Sequence, residues 1–390
     1  MENLLFYKRF LCPPEKDASF WQEALDYAVH KIRSNIAFFG DEYPSPASVR
    51  NVYPRVQNIE WTSSFWTGLL WLAYHSSGDE LFRDAAERYL PDFRTRLDKR
   101  IATNTHDLGF LYTLSCVNAY HFTRNCSAQI MALKAADLLL IRYYEKAGII
   151  QAWGDLNDPA QRGRIIIDCA MNLPLLYWAS MQTGNPYYKE AADRHIVTAN
   201  KYLIRDDWSS YHTFYFDTET GSPLKGTTAQ GYSDDSCWSR GQAWGIYGNA
   251  LAYWYTKEPS LLESARGLAQ YFLNHLPDDL VAYWDLVFTQ GDEERDSSAS
   301  AIGASGLLVL SAALPVGDPQ RRIFENAALH IAASLAQSYT TKAARESNGI
   351  LLHGVYGKPG NNGVDECTIF GDYFYMELLL RITASWRLYW

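Results

Sequence analysis

The stretch GLLWLAYHSSGDELFRDAAERYL, residues 68–90, joins two helical patterns of different character. Its first half is apolar nearly all round, which predicts a helix that is buried on every side. A Gly-Asp turn follows, and the second half carries apolar residues at i, i+3 and i+4. This spacing predicts an amphipathic helix with one stripe facing inward. The stretch therefore predicts a helical hairpin with one buried and one surface helix.

The same hairpin recurs along the chain. Close copies occupy residues 175–195 and 306–331, and looser copies occupy residues 110–140 and 242–272. Residues 20–39 and 371–386 supply one helix each for a sixth hairpin. Hairpins that stack side by side bury a continuous core, and six of them close naturally into a ring. We predict an all-α fold, an (α/α)6 barrel or six-hairpin toroid, with the apolar helices inside.

Loops at one end of the inner helices complete this prediction. Residues 211–223 and 280–287 have the character of short strands or irregular segments within those loops. No low-complexity linker divides the chain, so we expect residues 18–390 to form a single domain. Residues 1–17 are then an N-terminal extension.

The composition argues against several classes of protein. The chain has 390 residues, 47% hydrophobic and 20% charged, with a net charge of −9 and no basic run longer than a pair. A nucleic-acid partner is therefore not expected. The six cysteines are scattered without CxxC spacing, which indicates reduced thiols and no metal site. The sequence has no long apolar leader and no run of 18 apolar residues, so we expect a cytoplasmic protein with no membrane partner.

Aromatic residues are unusually frequent. The chain contains 13 Trp, 27 Tyr and 17 Phe, together 15% of its residues. Any single ring is most simply part of the core. Rings that share a segment with acids and arginine also suit a site in which sugar rings stack.

Asp168 interrupts the otherwise apolar run RIIIDCAMNLPLLYWA, residues 164–179. Burial disfavours the charged form of a carboxyl group and raises its pKa. One interpretation is that Asp168 caps a helix beginning near Cys169. The other is that it serves as a proton donor at neutral pH.

Polar and aromatic clusters precede the predicted inner helices, which places them at one mouth of the toroid. Simpler interpretations exist: His106 and Asp107 fit a helix cap, and Arg240 fits an ion pair with Asp235 or Asp296. Arg295 and Asp296 fit a cap with an ion pair. Nevertheless, two carboxylates on neighbouring hairpins suit acid–base chemistry on a glycoside.

Several segments together resemble the unsaturated glucuronyl hydrolases of glycoside hydrolase family 88. The resemblance runs from about residue 20 to the C-terminus, and SRGQAWGIYG together with HDLGF is its most specific part. The segments that carry it are residues 105–112, 148–155, 163–179, 209–217, 239–248, 295–302 and 371–381. The resemblance implies an (α/α)6 barrel, in agreement with the hairpin count.

The resemblance also implies an unusual reaction. Members of this family act on fragments left by polysaccharide lyases, whose non-reducing end is a 4,5-unsaturated uronate. An acid protonates C4 of the vinyl ether, a cation develops at C5, and water adds there. The hemiketal opens and the aglycone leaves C1. This chemistry requires no cofactor and no metal.

Residue by residue, the resemblance assigns Asp168 as the general acid and base and Asp107 as the second essential carboxylate. Arg240 is our candidate for binding the substrate carboxylate, because a guanidinium suits a planar anion. The positions that the resemblance places around the unsaturated oligosaccharide are Trp61, His106, Trp153, His212, Gln230, Trp238, Arg240, Trp244 and Tyr356.

The sequence departs from the family at one place. Members that favour 6-sulfated chondroitin carry a Ser-x-x-Ser-x-Lys stretch where this chain has GKPGNN, Gly357 to Asn362. Lys358 is the residue in this stretch that can partly compensate. Glycosaminoglycan substrates of chondroitin, hyaluronan or heparin type stay open, and the oligomeric state is not indicated. Two alternatives are an unsaturated rhamnogalacturonyl hydrolase acting on pectin fragments and a sugar-binding toroid without catalysis.

Overall fold

The computed structural model describes residues 8–384 and residue 390. Its helices form six hairpins. In chain order they are α1 (Ala18–Phe39), α2 (Ser63–Ser77), α3 (Glu80–Arg88), α4 (Leu90–Asp98), α5 (Leu108–Tyr112), α6 (Asn118–Thr123), α7 (Cys126–Leu140), α8 (Pro174–Thr183), α9 (Pro186–Leu203), α10 (Ser239–Thr256), α11 (Pro259–Asn274), α12 (Ser297–Ala313), α13 (Pro319–Ser338) and α14 (Ile369–Thr383).

The apolar helices form a closed inner ring. α2 contacts α5, α5 contacts α8, and α8 contacts α10. The ring continues from α10 to α12 and α14, and α14 returns to α2. Nearly every residue of α10 and α12 is buried, whereas α11 and α13 are buried along one stripe only. α1 pairs with α14, so the two ends of the chain supply the sixth hairpin. The predicted (α/α)6 barrel is confirmed.

Turn chemistry explains the hairpins. Gly78 ends α2 in the left-handed conformation, and the side chain of Asp79 accepts the backbone N–H of Leu81 to begin α3. Gly184 and Asn185 do the same between α8 and α9. A residue that tolerates positive φ followed by an Asp or Asn cap stops one helix and starts the next.

Three hairpins depart from regular α-helices. The outer helix of the first hairpin breaks between α3 and α4, where Pro91 occupies the first turn of α4. The inner helix of the second contains a π-helical turn, Thr113–Val117, between α5 and α6. The third inner helix begins as a 3-10 helix, Ile167–Asn172, before α8. The second and third inner helices hold the predicted acidic residues: Asp107 directly precedes α5, and Asp168 lies within the 3-10 helix.

Small antiparallel sheets lie in the loops. The strands are β1 (Tyr43–Pro44), β2 (Arg55–Val56), β3 (Tyr143–Tyr144), β4 (Ile149–Ile150), β5 (Arg164–Ile166), β6 (Thr213–Phe216), β7 (Pro223–Thr227), β8 (Gly354–Gly357) and β9 (Asn362–Glu366). β5, β6 and β7 form one sheet, in which Ile166 pairs with Thr213. The strand expected within residues 211–223 is therefore present as β6. Residues 280–287 are irregular, with isolated bridges at Tyr283 and Asp285.

Part of the predicted N-terminal extension packs against the barrel. Residues 1–7 lie outside the described residues. Lys8–Phe10 form a short 3-10 helix that contacts α13, and Phe10 is fully buried. Among the described residues, no helix is long and apolar enough to cross a membrane.

A glycine on α10 sets the position of the 3-10 helix. A Cβ built on Gly248 would lie 2.3 Å from the Cβ of Ala170 and 2.8 Å from its carbonyl carbon. Real Cβ atoms do not approach this closely, so α10 and the 3-10 helix pack at a distance that only glycine allows. Asp168 lies two residues before Ala170, so this packing also fixes the predicted acid.

We predict that Gly248→Ala lowers the free energy of unfolding by about 1–3 kcal/mol, because a buried methyl group forces the two helices apart. Alanine is intrinsically the better helix former, so the expected loss runs against helix propensity. Urea unfolding measures the change. Gly317→Ala is the control, since its built Cβ meets nothing within 4 Å. Equal stability of both variants and the wild type would contradict the packing argument.

Candidate active site

A cavity of about 490 Å³ opens where the inner helices begin. The predicted residues Trp61, Asp107, Trp153, Asp168, His212 and Gln230 all line it. The remaining lining residues are Ile59, Glu60, Arg96, Ala102, Asn104, Thr105, Ile166 and Ala229. The loops that precede α2, α5, the 3-10 helix and α10 therefore meet around one space, which we call the main cavity.

Asp168 lies in the first turn of the 3-10 helix and is only 6% exposed. The N-cap position belongs to Ile166, so Asp168 does not cap this helix. Its Oδ1 atom is buried without a hydrogen-bond partner. Burial, reinforced by the negative charge of Asp107, raises the pKa of Asp168 to about 7, against an opposing effect of Arg240. A carboxyl group with this pKa can give and take a proton near neutrality.

Asp107 is more exposed and better hydrogen bonded. Its side chain is 18% exposed, and Oδ2 accepts a 2.7 Å hydrogen bond from the Thr105 hydroxyl. Asp107 occupies the N-cap position of α5, but its side chain makes no capping hydrogen bond. Asp107 therefore stands at the predicted cap position, but its side chain does not cap the helix. The two carboxyl groups have different surroundings, which is the condition for dividing acid and anion roles between them.

His106 lies beside Asp107 and is not among the residues that line the main cavity. The ring is 1% exposed, and its Nε2 atom is 3.4 Å from Oδ1 of Asp107. Burial lowers the pKa of His106, although Asp107 opposes the effect. The neutral ring therefore packs beside Asp107 without adding a positive charge.

His212 offers a neutral hydrogen-bond donor to the main cavity. Its Nδ1 atom accepts the backbone N–H of Ala229 at 3.1 Å, so the proton of the neutral ring resides on Nε2. That Nε2 atom is buried and has no partner. Burial, with a further effect of Arg240, lowers the pKa of His212 to about 3, which keeps the ring neutral at physiological pH.

Aromatic rings form the walls. The indole N–H of Trp61 donates to the hydroxyl of Tyr356 at 3.0 Å, and its ring stacks on Phe370. Trp153 also lines the main cavity, with the guanidinium of Arg164 4.5 Å from its ring centre. Tyr356 faces a second, outer cavity of about 490 Å³, and Glu60 lines both cavities.

The guanidinium group of Arg240 makes hydrogen bonds to other residues of the protein. Its Nη1 atom donates to Oδ2 of Asp296 at 2.7 Å and to the carbonyl of Val355, and its Nη2 atom donates to Gln230 and the carbonyl of Tyr356. Arg240 does not line the main cavity. The predicted direct contact with a substrate carboxylate is therefore not supported, because both Nη groups already donate to acceptors within the protein. Of the two ion pairs considered, the one with Asp296 is present.

Trp238 and Trp244 do not line the main cavity either. The ring of Trp238 packs edge-on against His212, with Arg240 4.4 Å from its ring centre. Trp244 is fully buried and contacts Phe110 and Phe374. Because α10 turns Trp244 toward the barrel core, the predicted sugar contact is corrected to a core position.

Asp296 caps α12, as the simpler interpretation held. Its Oδ1 atom accepts the backbone N–H groups of Ser298 and Ala299. Its other oxygen accepts from Arg240. Arg295 pairs separately with Asp279 at 3.3 Å. These residues hold loops together and do not reach the main cavity.

Several residues of the main cavity are not among those predicted from the sequence, and Arg96 is one of them. This residue is 1% exposed and donates to Asn58 and to the carbonyls of Glu60 and Ala102, so it ties two cavity loops together. The available signal was an arginine next to the apolar stripe of α4. Glu60, Asn104 and Thr105 were missed because a polar residue in a loop carries no periodic signal.

No metal cluster is evident in the part of the chain that the structure describes, since no three His, Cys, Asp or Glu side chains are grouped to hold an ion. The main cavity instead joins a buried acid, a second carboxylate, aromatic walls and neutral donors. A cavity of this kind at the mouth of an α/α barrel has the residues expected of a hydrolase that acts on carbohydrate.

Comparison with known proteins supports the assignment to carbohydrate hydrolases. The family model described as Glycosyl Hydrolase Family 88 matches residues 42–381. An unsaturated chondroitin disaccharide hydrolase of Streptococcus pyogenes is 46% identical over 94% of this chain and 92% of its own length. The crystal structure of an unsaturated glucuronyl hydrolase from Streptococcus agalactiae superposes with a TM-score of 0.95, at 44% identity over 98% of this chain and 97% of that one. The chain belongs to glycosyl hydrolase family 88.

A further solved structure carries a ligand. It is a variant of the Streptococcus agalactiae enzyme in complex with dGlcA-GalNAc6S. It superposes with a TM-score of 0.88, at 41% identity over 98% of this chain and 97% of that one.

The raised pKa of Asp168 predicts a pH-dependent stability. The folded chain binds this proton more tightly than the unfolded chain, so its stabilising effect is complete below about pH 4 and is lost as the pH rises through about 7. An asparagine side chain does not titrate, so we predict that Asp168→Asn is more stable than the wild type at pH 8 by roughly 2–4 kcal/mol. The difference should vanish near pH 4.

Denaturant unfolding between pH 4 and pH 8 measures this effect. Gly317→Ala is the control, because it changes no titratable group and its added methyl group meets nothing within 4 Å, so its difference from the wild type should stay flat. A flat difference for Asp168→Asn as well would contradict the raised pKa.

Proposed function

We propose that this enzyme removes the 4,5-unsaturated uronic acid from the non-reducing end of lyase-generated glycosaminoglycan oligosaccharides. The observation that carries the proposal is Asp168, a buried carboxyl group with a pKa of about 7 that opens into the main cavity beside Asp107. Membership of family 88 and the names of the relatives support the same activity. No cofactor is required for it.

The reaction can be written from these residues. The protonated carboxyl group of Asp168 donates its proton to C4 of the vinyl ether, and the double-bond electrons form the new C–H bond. Positive charge develops at C5 and the ring oxygen, where the carboxylate of Asp107 stabilises it. Asp168, now a carboxylate, accepts a proton from the water that adds to C5. The hemiketal opens, and the aglycone is released from C1.

Neutral donors are proposed to bind the substrate carboxylate. His212 lines the main cavity, and its buried Nε2–H group has no partner within the protein. Gln230 also lines it, and because the Gln230 Oε1 atom accepts from Arg240, its amide N–H groups remain for a ligand. In this proposal Arg240 acts on the substrate carboxylate indirectly: it orients Gln230 by a hydrogen bond and contributes positive charge. Trp61 and Trp153 supply apolar walls for the sugar ring.

The two alternative functions are less well supported. The relatives are named for chondroitin and glucuronyl substrates, which favours glycosaminoglycan over rhamnogalacturonan fragments. A non-catalytic sugar-binding role does not explain why two carboxyl groups line the same cavity in different surroundings. Comparison of unsaturated chondroitin and rhamnogalacturonan disaccharides distinguishes the first alternative, and product formation distinguishes the second.

We predict that Asp168→Asn folds and loses at least about a thousandfold in kcat, because the proton donor is removed. In the wild type, kcat should fall tenfold per pH unit above about pH 7, as Asp168 loses its proton. Loss of the ultraviolet absorbance of the conjugated double bond measures both effects. Turnover by Asp168→Asn at the wild-type rate would exclude the assigned acid, and no turnover by the wild type on any unsaturated uronide would exclude the function.

The preferred sulfation is a finer part of the proposal. The outer cavity adjoins the main cavity at Glu60 and is lined by Asn361 and Asn362, within the stretch that departs from the 6-sulfate pattern. Its charged lining residues are Glu60 and Glu366, both acidic. Lys358 does not supply a free cation there, because it pairs with Glu294. We therefore propose that the sugar following the uronate is preferentially unsulfated.

We predict that the wild type has a kcat/KM about tenfold higher for an unsulfated than for a 6-sulfated unsaturated chondroitin disaccharide, because the sulfate would meet like charge. Glu294→Gln releases Lys358 and should narrow this ratio. Parallel assays on the two disaccharides provide the measurement. A wild-type preference for the 6-sulfated substrate that Glu294→Gln leaves unchanged would contradict the proposal.

We also propose a cytoplasmic location, as predicted from the sequence. All six cysteines are free thiols, which suits a reducing compartment. Recovery of the native protein in a membrane or secreted fraction would overturn this part.

A further inference from the structure

Asn172 is a buried amide that contacts both acidic segments of the site. Its Oδ1 atom accepts the backbone N–H of Phe110 on α5 at 2.9 Å. A backbone N–H can only donate, so the Nδ2 group must point the other way. Nδ2 lies 3.4 Å from Oδ1 of Asp107 and 3.4 Å from the backbone carbonyl of Asp168. The amide thus has one acceptor and two donor contacts, all with residues of the two acidic segments.

Gly109 makes these contacts possible. A Cβ built on Gly109 would lie 2.4 Å from Cα of Asn172, 2.4 Å from its carbonyl oxygen and 2.5 Å from Oδ1. The glycine therefore lets the start of α5 rest directly on the end of the 3-10 helix. Asn172 is 2% exposed and is not among the residues lining the main cavity, so it does not reach the substrate.

We propose that Asn172 is a positioning residue that holds the Asp107 carboxylate toward Asp168, with Gly109 providing the space for it. This inference rests on the proposed function, since it assigns Asp107 and Asp168 their roles. The Nδ2 group donates to Oδ1 of Asp107 and so orients its carboxyl group, and the two remaining contacts fix the spacing between α5 and the 3-10 helix.

The orientation of Asp107 matters because two charged residues act on the ionisation of Asp168. Asp107 raises the pKa of Asp168 and Arg240 lowers it. If Asn172 holds Asp107 in place, removal of the Asn172 amide weakens the effect of Asp107 on the pKa of Asp168 and leaves the effect of Arg240 unchanged. A substituent that adds negative charge at position 172 strengthens the first effect. The two kinds of substitution should therefore move the titration of Asp168 in opposite directions.

The experiment uses two variants of the full chain. Asn172→Ala removes the amide, and Asn172→Asp keeps its shape and its acceptor for Phe110 while replacing the Nδ2 donor with an oxygen. Each variant is compared with a double variant that also carries Asp168→Asn, and the difference in their free energies of unfolding is measured as a function of pH. The midpoint of this difference reports the pKa of Asp168. We expect the midpoint to fall by about one pH unit in Asn172→Ala and to rise in Asn172→Asp.

Enzyme kinetics on an unsulfated unsaturated chondroitin disaccharide give the second readout. Asn172→Ala should lower kcat by between about tenfold and a hundredfold, with KM changed by less than about threefold, because misplacement of a catalytic group costs rate more than binding. Asn249→Ala is the matched control: Asn249 is a fully buried amide on α10 that bonds to Asn200 and Gly245. We expect it to lose stability and to keep the wild-type pH profile and kcat.

A wild-type midpoint and kcat in Asn172→Ala would overturn the proposal, as would shifts in the same direction in both variants. Effects equal to those of Asn249→Ala would reduce Asn172 to a packing residue and overturn it too. Failure of the proposed function gives a different pattern. In that case the wild type turns over no unsaturated uronide, while the pH-dependent stability still reports whether Asn172 positions Asp107.

Discussion

The site depends on the cost of burying one carboxyl group. Asp168 is held between apolar neighbours with no hydrogen bond to Oδ1, and Asp107 adds a negative charge nearby. Both conditions favour the neutral acid, and both oppose folding at neutral pH. The barrel core offsets this cost, because the inner helices are buried nearly all round. A proton donor that works near neutrality is thus obtained at the expense of stability.

The surrounding structure keeps Asp168 buried and limits the positive charge near it. Gly248 lets α10 approach the 3-10 helix, and Gly109 lets α5 approach its other end. Both glycines therefore serve close packing around the segment that carries Asp168. His106 and His212 are neutral and buried, so neither brings a positive charge that would return Asp168 to its ordinary pKa. Arg240 is the positive group that acts on it, and Asp296 compensates much of its charge.

The sequence predicted the architecture well because helix periodicity and turn chemistry are local signals. The Gly-Asp turn predicted within residues 68–90 supplies the caps that separate α2 from α3, and Gly184 and Asn185 supply the equivalent caps between α8 and α9. Asp168 stood out because a carboxyl group in an apolar run is unusual. The 3-10 geometry around it was not predictable, since it results from packing against α10 and α5.

Side-chain direction was the main quantity that the sequence did not reveal. Trp244 and Arg240 lie in the most family-specific segment, yet one enters the core and the other pairs with Asp296. Arg96 and Asn172 contribute to the site through contacts with loops and helices distant in sequence. Such contacts depend on how helices rotate about their axes in the assembled ring, and periodicity alone does not determine that rotation.

The most direct test of this account is the titration of the Asp168 carboxyl group by carbon-13 NMR, assigned with Asp168→Asn. The account predicts a midpoint near pH 7 in the wild type and a lower midpoint in Asp107→Asn, where the neighbouring charge is removed. A wild-type midpoint near the ordinary aspartate value of about 4, unchanged in Asp107→Asn, would contradict it.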